Sequence, residues 1–219
     1  MSATITKLAL AAVVVLTIHT GDLRADIIST PFNSNNGQSG NMFDINVLSQ
    51  LGIEISQFEL NLDAGSWDIE LYTKSGTHVG SETTPSDWVL RESSTDITSI
   101  ARNLRTVWDI SDFALDSGLS AIYINVTNGT ALNYTDGTGV GNLLASNSNV
   151  EIFEGTGNAV NFGEQFRPRS FNGSIEFEPI ALVTTSVPPS VTSAIPEPGA
   201  FLAIAVLWTA VSTTRRKKA

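Results

Sequence analysis

Side chains able to do chemistry are scarce between residues 26 and 198, and their spacing says what each one could do. Histidine is the first shortage: His19 lies in an apolar N-terminal run, which leaves His78 alone, inside the turn-like stretch SGTHVG. A Ser-His-Asp arrangement would have to use His78, and no G-x-S-x-G elbow accompanies it. We read His78 as a solvated loop residue, and a single histidine in this segment excludes a two-histidine metal site within it. Carboxylates are plentiful. Asp68 and Glu70 stand two apart on a strand pattern, so they face one way with Cα atoms about 7 Å apart. Side-chain rotation could bring them near the roughly 5–5.5 Å of a retaining glycosidase pair. Asp-x-Glu is also the ordinary outward alternation of a strand, and that solvated face is the reading adopted. The glycine-rich DGTGVGN, residues 136–142, has neither the Lys-Ser/Thr of a phosphate loop nor a helix behind it. Its carbonyls together with Asp136 form a candidate Ca²⁺ site.

Aromatic residues offer a second chemistry, because their faces stack on the apolar faces of sugars. Trp67 shares its parity with Ile69 and Leu71, and Trp108 alternates with Thr106 and Ile110, so both are expected in a core. Tyr123 has the outward parity, Trp88 follows the loop-like TPSD, and Tyr134 stands beside Asn133, Thr135 and Asp136. Trp88, Tyr123 and Tyr134 are therefore the candidate ligand-binding residues, with ordinary packing as the alternative for each. No set of residues qualifies as catalytic, and the chain is expected not to be an enzyme. The sequons at Asn125, Asn128, Asn133 and Asn172 read as a Ser-, Thr- and Asn-rich β surface.

The elements that must hold these residues have period two. Phe43, Ile45 and Val47 alternate with Asp44 and Asn46; Trp67, Ile69 and Leu71 with Asp68 and Glu70. Ile122, Ile124 and Val126 alternate with Tyr123 and Asn125, and Ile175 and Phe177 with Ser174 and Glu176. Each run predicts a half-buried strand. In residues 53–62 the phase slips between Ile53, Ile55 and Phe58, Leu60, Leu62, which predicts a β-bulge at Ser56-Gln57. Asn35-Asn36-Gly37, Ala64-Gly65-Ser66, Asn128-Gly129, Asp136-Gly137 and Asn172-Gly173 supply turn chemistry. Residues 100–104 are the best helical stretch, and they are short. The expected fold is all-β, an antiparallel β-sandwich.

Composition sets the outer bounds. The 219 residues suit one domain plus extras, and an apolar share of 42% is enough for a core. Without cysteine there are no disulfides, thiolate metal sites or cysteine nucleophiles. Six of the 12 basic and 21 of the 22 acidic residues lie between 26 and 198, leaving that segment near −15. Such a segment is soluble and lacks the basic groove that nucleic acid requires.

Both ends read as signals. Lys7 precedes an apolar run of 11 residues, 8–18, too short for the 17–25 or so that span a bilayer. Residues 1–25 are thus an expected secretory signal helix, cut near Ala25. A linker at 179–194, rich in Pro, Ser and Thr, follows the β domain at 26–178. The last segment, 195–219, holds Pro196, Glu197 and Pro198, an apolar stretch at 199–214, and the basic tail Arg215, Arg216, Lys217 and Lys218. Four terminal cations favour the cytoplasmic side, which puts the preceding domain outside.

These three parts in this order resemble the PEP-CTERM sorting signal. The resemblance implies an exosortase-type processing enzyme as partner and a C-terminal transmembrane helix that anchors the chain in the inner membrane until it is removed. It also implies delivery to the envelope surface or an exopolysaccharide-containing extracellular matrix. A permanent single-span anchor is the alternative. The stretches NNGQSGNMFDI, YTKSGTHVGSE, NYTDGTGVGN, IFEGTGNAVNFG and FRPRSFNGSIEF resemble an uncharacterised family of secreted bacterial β domains often found with such tails. That resemblance implies a jelly-roll-like sandwich and brings no ligand. The expected role is a structural or adhesin-like binding module, with a carbohydrate-binding or carbohydrate-active protein as the alternative.

Overall fold

The computed structural model describes residues 25–181, so the N-terminal signal, the basic tail and the Pro196-Glu197-Pro198 motif lie outside the described residues. Among the described residues no helix is long and apolar enough to cross a membrane. Among the described residues thirteen strands form two antiparallel sheets, with one short 3-10 turn at Pro85–Asp87.

The smaller sheet contains β1 (Asp26–Ser29), β4 (Ile53–Asn61), β7 (Arg105–Leu115) and β13 (Gly173–Pro179), in the order β1-β13-β4-β7. The larger contains β2 (Asn36–Gln38), β3 (Gly40–Val47), β5 (Gly65–Ser75), β6 (Val89–Ser99), β8 (Gly118–Val126), β9 (Leu132–Asp136), β11 (Val150–Asn158) and β12 (Gln165–Phe171). Its order is β2-β9-β12-β11-β3-β8-β5-β6, with β10 (Leu143–Ser146) paired to β11. Inward residues of both sheets form one core: Phe43, Ile45, Leu71, Ile122 and Ile124 from the larger, Ile55, Phe58, Leu60, Trp108 and Phe177 from the smaller. Alternation explains this interdigitated layer, since side chains two apart share a face. Trp108 is fully buried, and Trp67 packs against the core half-buried.

The phase slip in β4 is a bulge. Against β13, Ile55 pairs with Phe177 and Gln57 with Glu176, so Ser56 is the extra residue; against β7, Ile55 pairs with Phe113 and Gln57 with Asp109, where β7 is irregular as well. The extra residue turns Ile53, Ile55, Phe58, Leu60 and Leu62 all inward, and all five are fully buried. A second irregularity, in β11, depends on glycine. A Cβ on Gly155 would lie 1.9 Å from the Met42 carbonyl oxygen, so only a bare Cα lets β3 and β11 approach there.

One expectation is corrected. Asn35-Asn36-Gly37 is not a turn; Asn36 and Gly37 sit on the edge strand β2, opposite Tyr134 and Asn133 of β9. The bare Cα of Gly37 accommodates Asn133, whose side-chain oxygen would be 2.7 Å from a Cβ. Residues 100–104 form a tight turn, with the Leu104 N–H donating to the Ala101 carbonyl at 3.2 Å, and no helix.

Candidate functional site

The outward face of the larger sheet was expected to meet water, and its centre does not. Strand β8 is buried on both faces from Ala121 to Val126. Two segments cover it: the connection between β5 and β6, which carries His78 and Trp88, and the connection between β11 and β12, which carries Phe162. Met42, Trp88, Ala121, Tyr123 and Phe162 make a second apolar cluster with Tyr72 packed against it. Tyr123 and Phe162 meet edge-on at 4.7 Å, Tyr123 and Tyr72 stack at 5.8 Å, and Trp88 closes on Tyr123 at 6.0 Å.

Trp88 and Tyr123 therefore offer no open ring face for a sugar. Their polar atoms are also used internally. The Trp88 indole N–H donates to the Ser81 carbonyl at 2.9 Å, and the Tyr123 hydroxyl donates to the Asn125 side-chain oxygen at 2.9 Å. Burial pushes the Tyr123 phenol well above its ordinary value. The physical reason lies partly in Gly40, whose missing Cβ leaves the space that the Tyr123 ring fills.

His78 is likewise not a solvated residue. It is fully buried, and its Nδ1 lies 2.7 Å from Asp44 Oδ1. The ionised carboxylate only accepts, so Nδ1 carries the hydrogen. Asp44 also takes the His78 backbone N–H at 2.8 Å and the Thr77 hydroxyl at 2.6 Å. Burial works to raise the Asp44 pKa, and these donors outweigh it, holding the carboxyl below its ordinary value. His78 Nε2 is buried with no partner among the described residues. Asp68 and Glu70 are both engaged: Asp68 accepts the Asp96 N–H at 3.2 Å, and Glu70 accepts the Tyr72 hydroxyl at 2.7 Å.

Tyr134 is also interior, 1% exposed, with its ring over Gly157 and the Arg169 guanidinium 5.7 Å from the ring centre. Its edge borders a hollow of about 200 Å³ with Asn36, Gln38, Phe166 and Arg169. Asp136 is exposed and faces a cation: Arg169 Nη1 is 3.2 Å away, and the Asn36 amide donates to it at 3.0 Å. The adjacent loop points donors inward, contrary to a carbonyl-lined Ca²⁺ cage. Glu154 Oε2 accepts the Thr138 N–H at 2.6 Å and the Gly139 N–H at 2.8 Å, and Oε1 accepts the Ser170 hydroxyl at 3.0 Å. Among the described residues no three His, Asp or Glu side chains come together.

Burial acts to raise the Glu154 pKa, and the Gly139 and Thr138 amides bring it below its ordinary value instead. Glu154→Gln is expected to cost about 1–3 kcal/mol by weakening charge-assisted bonds. Faster hydrogen exchange at Thr138 and Gly139 would report it; unchanged exchange there would mean the carboxylate does not hold the loop. Asp44, His78, Glu154 and Arg169 were not singled out as functional from the sequence. The available signal was apolar character at outward positions, Met42, Ala121 and Tyr123, which marks a face that something covers.

No family model matches the chain, and no curated protein matches it. Among solved structures, the chain is similar to the cysteine protease and lectin-like domains of Cwp84, a surface layer associated protein of Clostridium difficile. The identity is 13% and the TM-score 0.44, over 73% of this chain and 37% of that one. The chain thus spans little more than a third of that neighbour's length.

Proposed function

We propose that the chain is exported to the cell envelope surface or extracellular matrix, with its β domain acting as a non-catalytic structural or adhesin-like module. The observation that carries this is the C-terminal series of Pro196-Glu197-Pro198, apolar stretch and Arg215-Arg216-Lys217-Lys218 behind an N-terminal export signal. In this reading an exosortase-type enzyme removes the tail, and the C-terminal helix is a temporary inner-membrane anchor. The strand order supports a jelly-roll-like wiring. Strands β1-β13-β4-β7 stand against β3-β8-β5-β6, and the chain changes sheet at every step along these eight except β5 to β6. Strands β2 and β9–β12 then extend one sheet beside β3.

A carbohydrate-binding role is the second reading. The hollow beside Tyr134 favours it, since Asn36, Gln38 and Arg169 put polar groups next to the Phe166 ring. The primary reading is tested by the intact mass of the chain recovered from the native envelope or medium. The expected mass lacks residues 1–25 and everything after the motif. Alanines at Pro196, Glu197 and Pro198 are expected to leave export intact and block tail removal. Unchanged processing in that variant would overturn the sorting assignment.

A further inference from the structure

The connection between β11 and β12, residues 159–164, is a strap whose only buried side chain is Phe162. Phe162 has a φ of 60°, in the left-handed region that a bulky side chain rarely adopts, and Asn161 beside it has a φ of 55°. Such conformations persist only where the surroundings impose them, and they cluster in ligand clamps and switch segments. The bonds that tie this strap to the sheet are long. The Phe162 N–H donates to the Tyr123 hydroxyl at 3.3 Å, the Asn161 N–H to Asn125 Oδ1 at 3.4 Å, and the Asn125 amide to Asn161 Oδ1 at 3.1 Å. A typical N–H···O bond measures about 2.9–3.0 Å. We infer that the strap is a self-inhibiting plug over a sugar-binding site: Phe162 fills the seat of a neutral pyranose ring, and the strap yields it when such a sugar binds.

The seat is built of groups that suit a sugar. The Phe162 ring meets Tyr123 at 4.7 Å, Tyr72 at 5.2 Å and Trp88 at 6.0 Å, edge-on or tilted to each. These three rings come from β8, β5 and the end of the β5–β6 connection, and none belongs to the strap. They pack on one another without it, Tyr72 on Tyr123 at 5.8 Å and Trp88 on Tyr123 at 6.0 Å, so the platform is preorganised and only its occupant changes. Apolar sugar faces stack on such rings. The strap's polar contacts fall on Asn125 and the Tyr123 hydroxyl, which come free together with Phe162 and offer sugar hydroxyls both donors and acceptors. Glu70 accepts the Tyr72 hydroxyl at 2.7 Å, and its carboxylate disfavours an anionic sugar. Trp88 and Phe162 keep 7% and 8% exposure, so the seat lies directly beneath the surface. The base of the strap is closed by the Ala159 N–H donating to the Glu164 carbonyl at 2.7 Å, which confines the movement to the tip.

This plug deepens the carbohydrate-binding reading and rests on it. In a population that is mostly plugged, apparent affinity is reduced by the open fraction, so removing the plug tightens binding. The test titrates the purified full chain, held in detergent, with cellotetraose. Phe162→Gly accepts the left-handed backbone and vacates the seat. It is expected to bind the sugar at least tenfold tighter than the unaltered chain, and adding Tyr72→Ala to it is expected to abolish that gain. Circular dichroism checks that each variant is folded. Should Phe162→Gly not fold, hydrogen exchange on the unaltered chain carries the test. The Asn161 and Phe162 amides are expected to exchange at least tenfold faster at saturating cellotetraose, because the sugar holds the tip of the strap open. Equal or weaker affinity in Phe162→Gly than in the unaltered chain would overturn the plug and leave the carbohydrate reading standing. No saturable binding by either chain, a gain that survives Tyr72→Ala, or exchange at the strap unmoved by the sugar would each overturn it too. A glycan array on the unaltered chain decides the carbohydrate reading separately.

Discussion

Asp44→Ala is expected to lower the stability of the β domain by about 3–5 kcal/mol, because each buried donor left unsatisfied costs about 1–3 kcal/mol. The substitution strands the His78 ring N–H, the His78 backbone N–H and the Thr77 hydroxyl together. Asp44 is 6% exposed, so water reaches these groups only if the β5–β6 connection lifts away. That connection also carries Trp88, and its loosening exposes the second apolar cluster. Urea denaturation followed by tryptophan fluorescence measures the loss. A change below 1 kcal/mol would mean that the pair contributes little and that the cover is held by its aromatic contacts alone.

The same group sets a pH dependence. The folded-state pKa of Asp44 is depressed, so its stabilisation is complete above the ordinary value near 3.8 and is lost as pH falls through the lower folded value. Glu154 is depressed as well and acts with the same sign. The domain is therefore expected to keep its melting temperature down to about pH 4 and lose it progressively below. Asp44→Asn is expected to be less stable at neutral pH and to show a flatter acid limb. A melting temperature that stays level into the pH range below 3 would contradict this account.

Trp108→Ala is the second large effect, about 3–5 kcal/mol for removing a fully buried tryptophan. Trp108 comes from β7 of the smaller sheet and stacks at a tilt on Phe58 of β4, with centroids 6.1 Å apart. Its indole N–H crosses to the other sheet, donating to the Ser94 hydroxyl of β6 at 3.0 Å. Truncation thus opens a cavity between the sheets and removes one link across the sandwich. Trp67→Ala is expected to cost clearly less, since Trp67 is only partly buried at the core margin. Equal losses for the two would mean that the core centre is not where the alternating strands put it.

How far the chain can be read without its structure depends on the range of the interaction. The inward sides of β3, β5, β8 and β13 were legible, because a strand's period of two is a local property of the backbone. The bulge at Ser56 was legible for the same reason: a slip of parity within ten residues has one cheap resolution. The burial of Tyr123 and Trp88 was not legible, because parity assigns a side chain to a face without saying what lies on that face. His78 was misjudged, since its partner Asp44 is 34 residues away and no local pattern joins them.

By themselves, then, the residues determine an acidic, cysteine-free chain with an all-β domain, which sides of its strands are apolar, and the terminal motifs from which export and sorting are proposed. Tertiary structure alone decided that two connections fold over the larger sheet and bury Trp88, Tyr123 and His78. It alone turned the glycine-rich loop into a cradle for Glu154. The physical reason is that burial and charge pairing depend on which distant segments meet. Strand register and loop path settle those meetings, and neither is encoded within the few residues that set a strand's alternation.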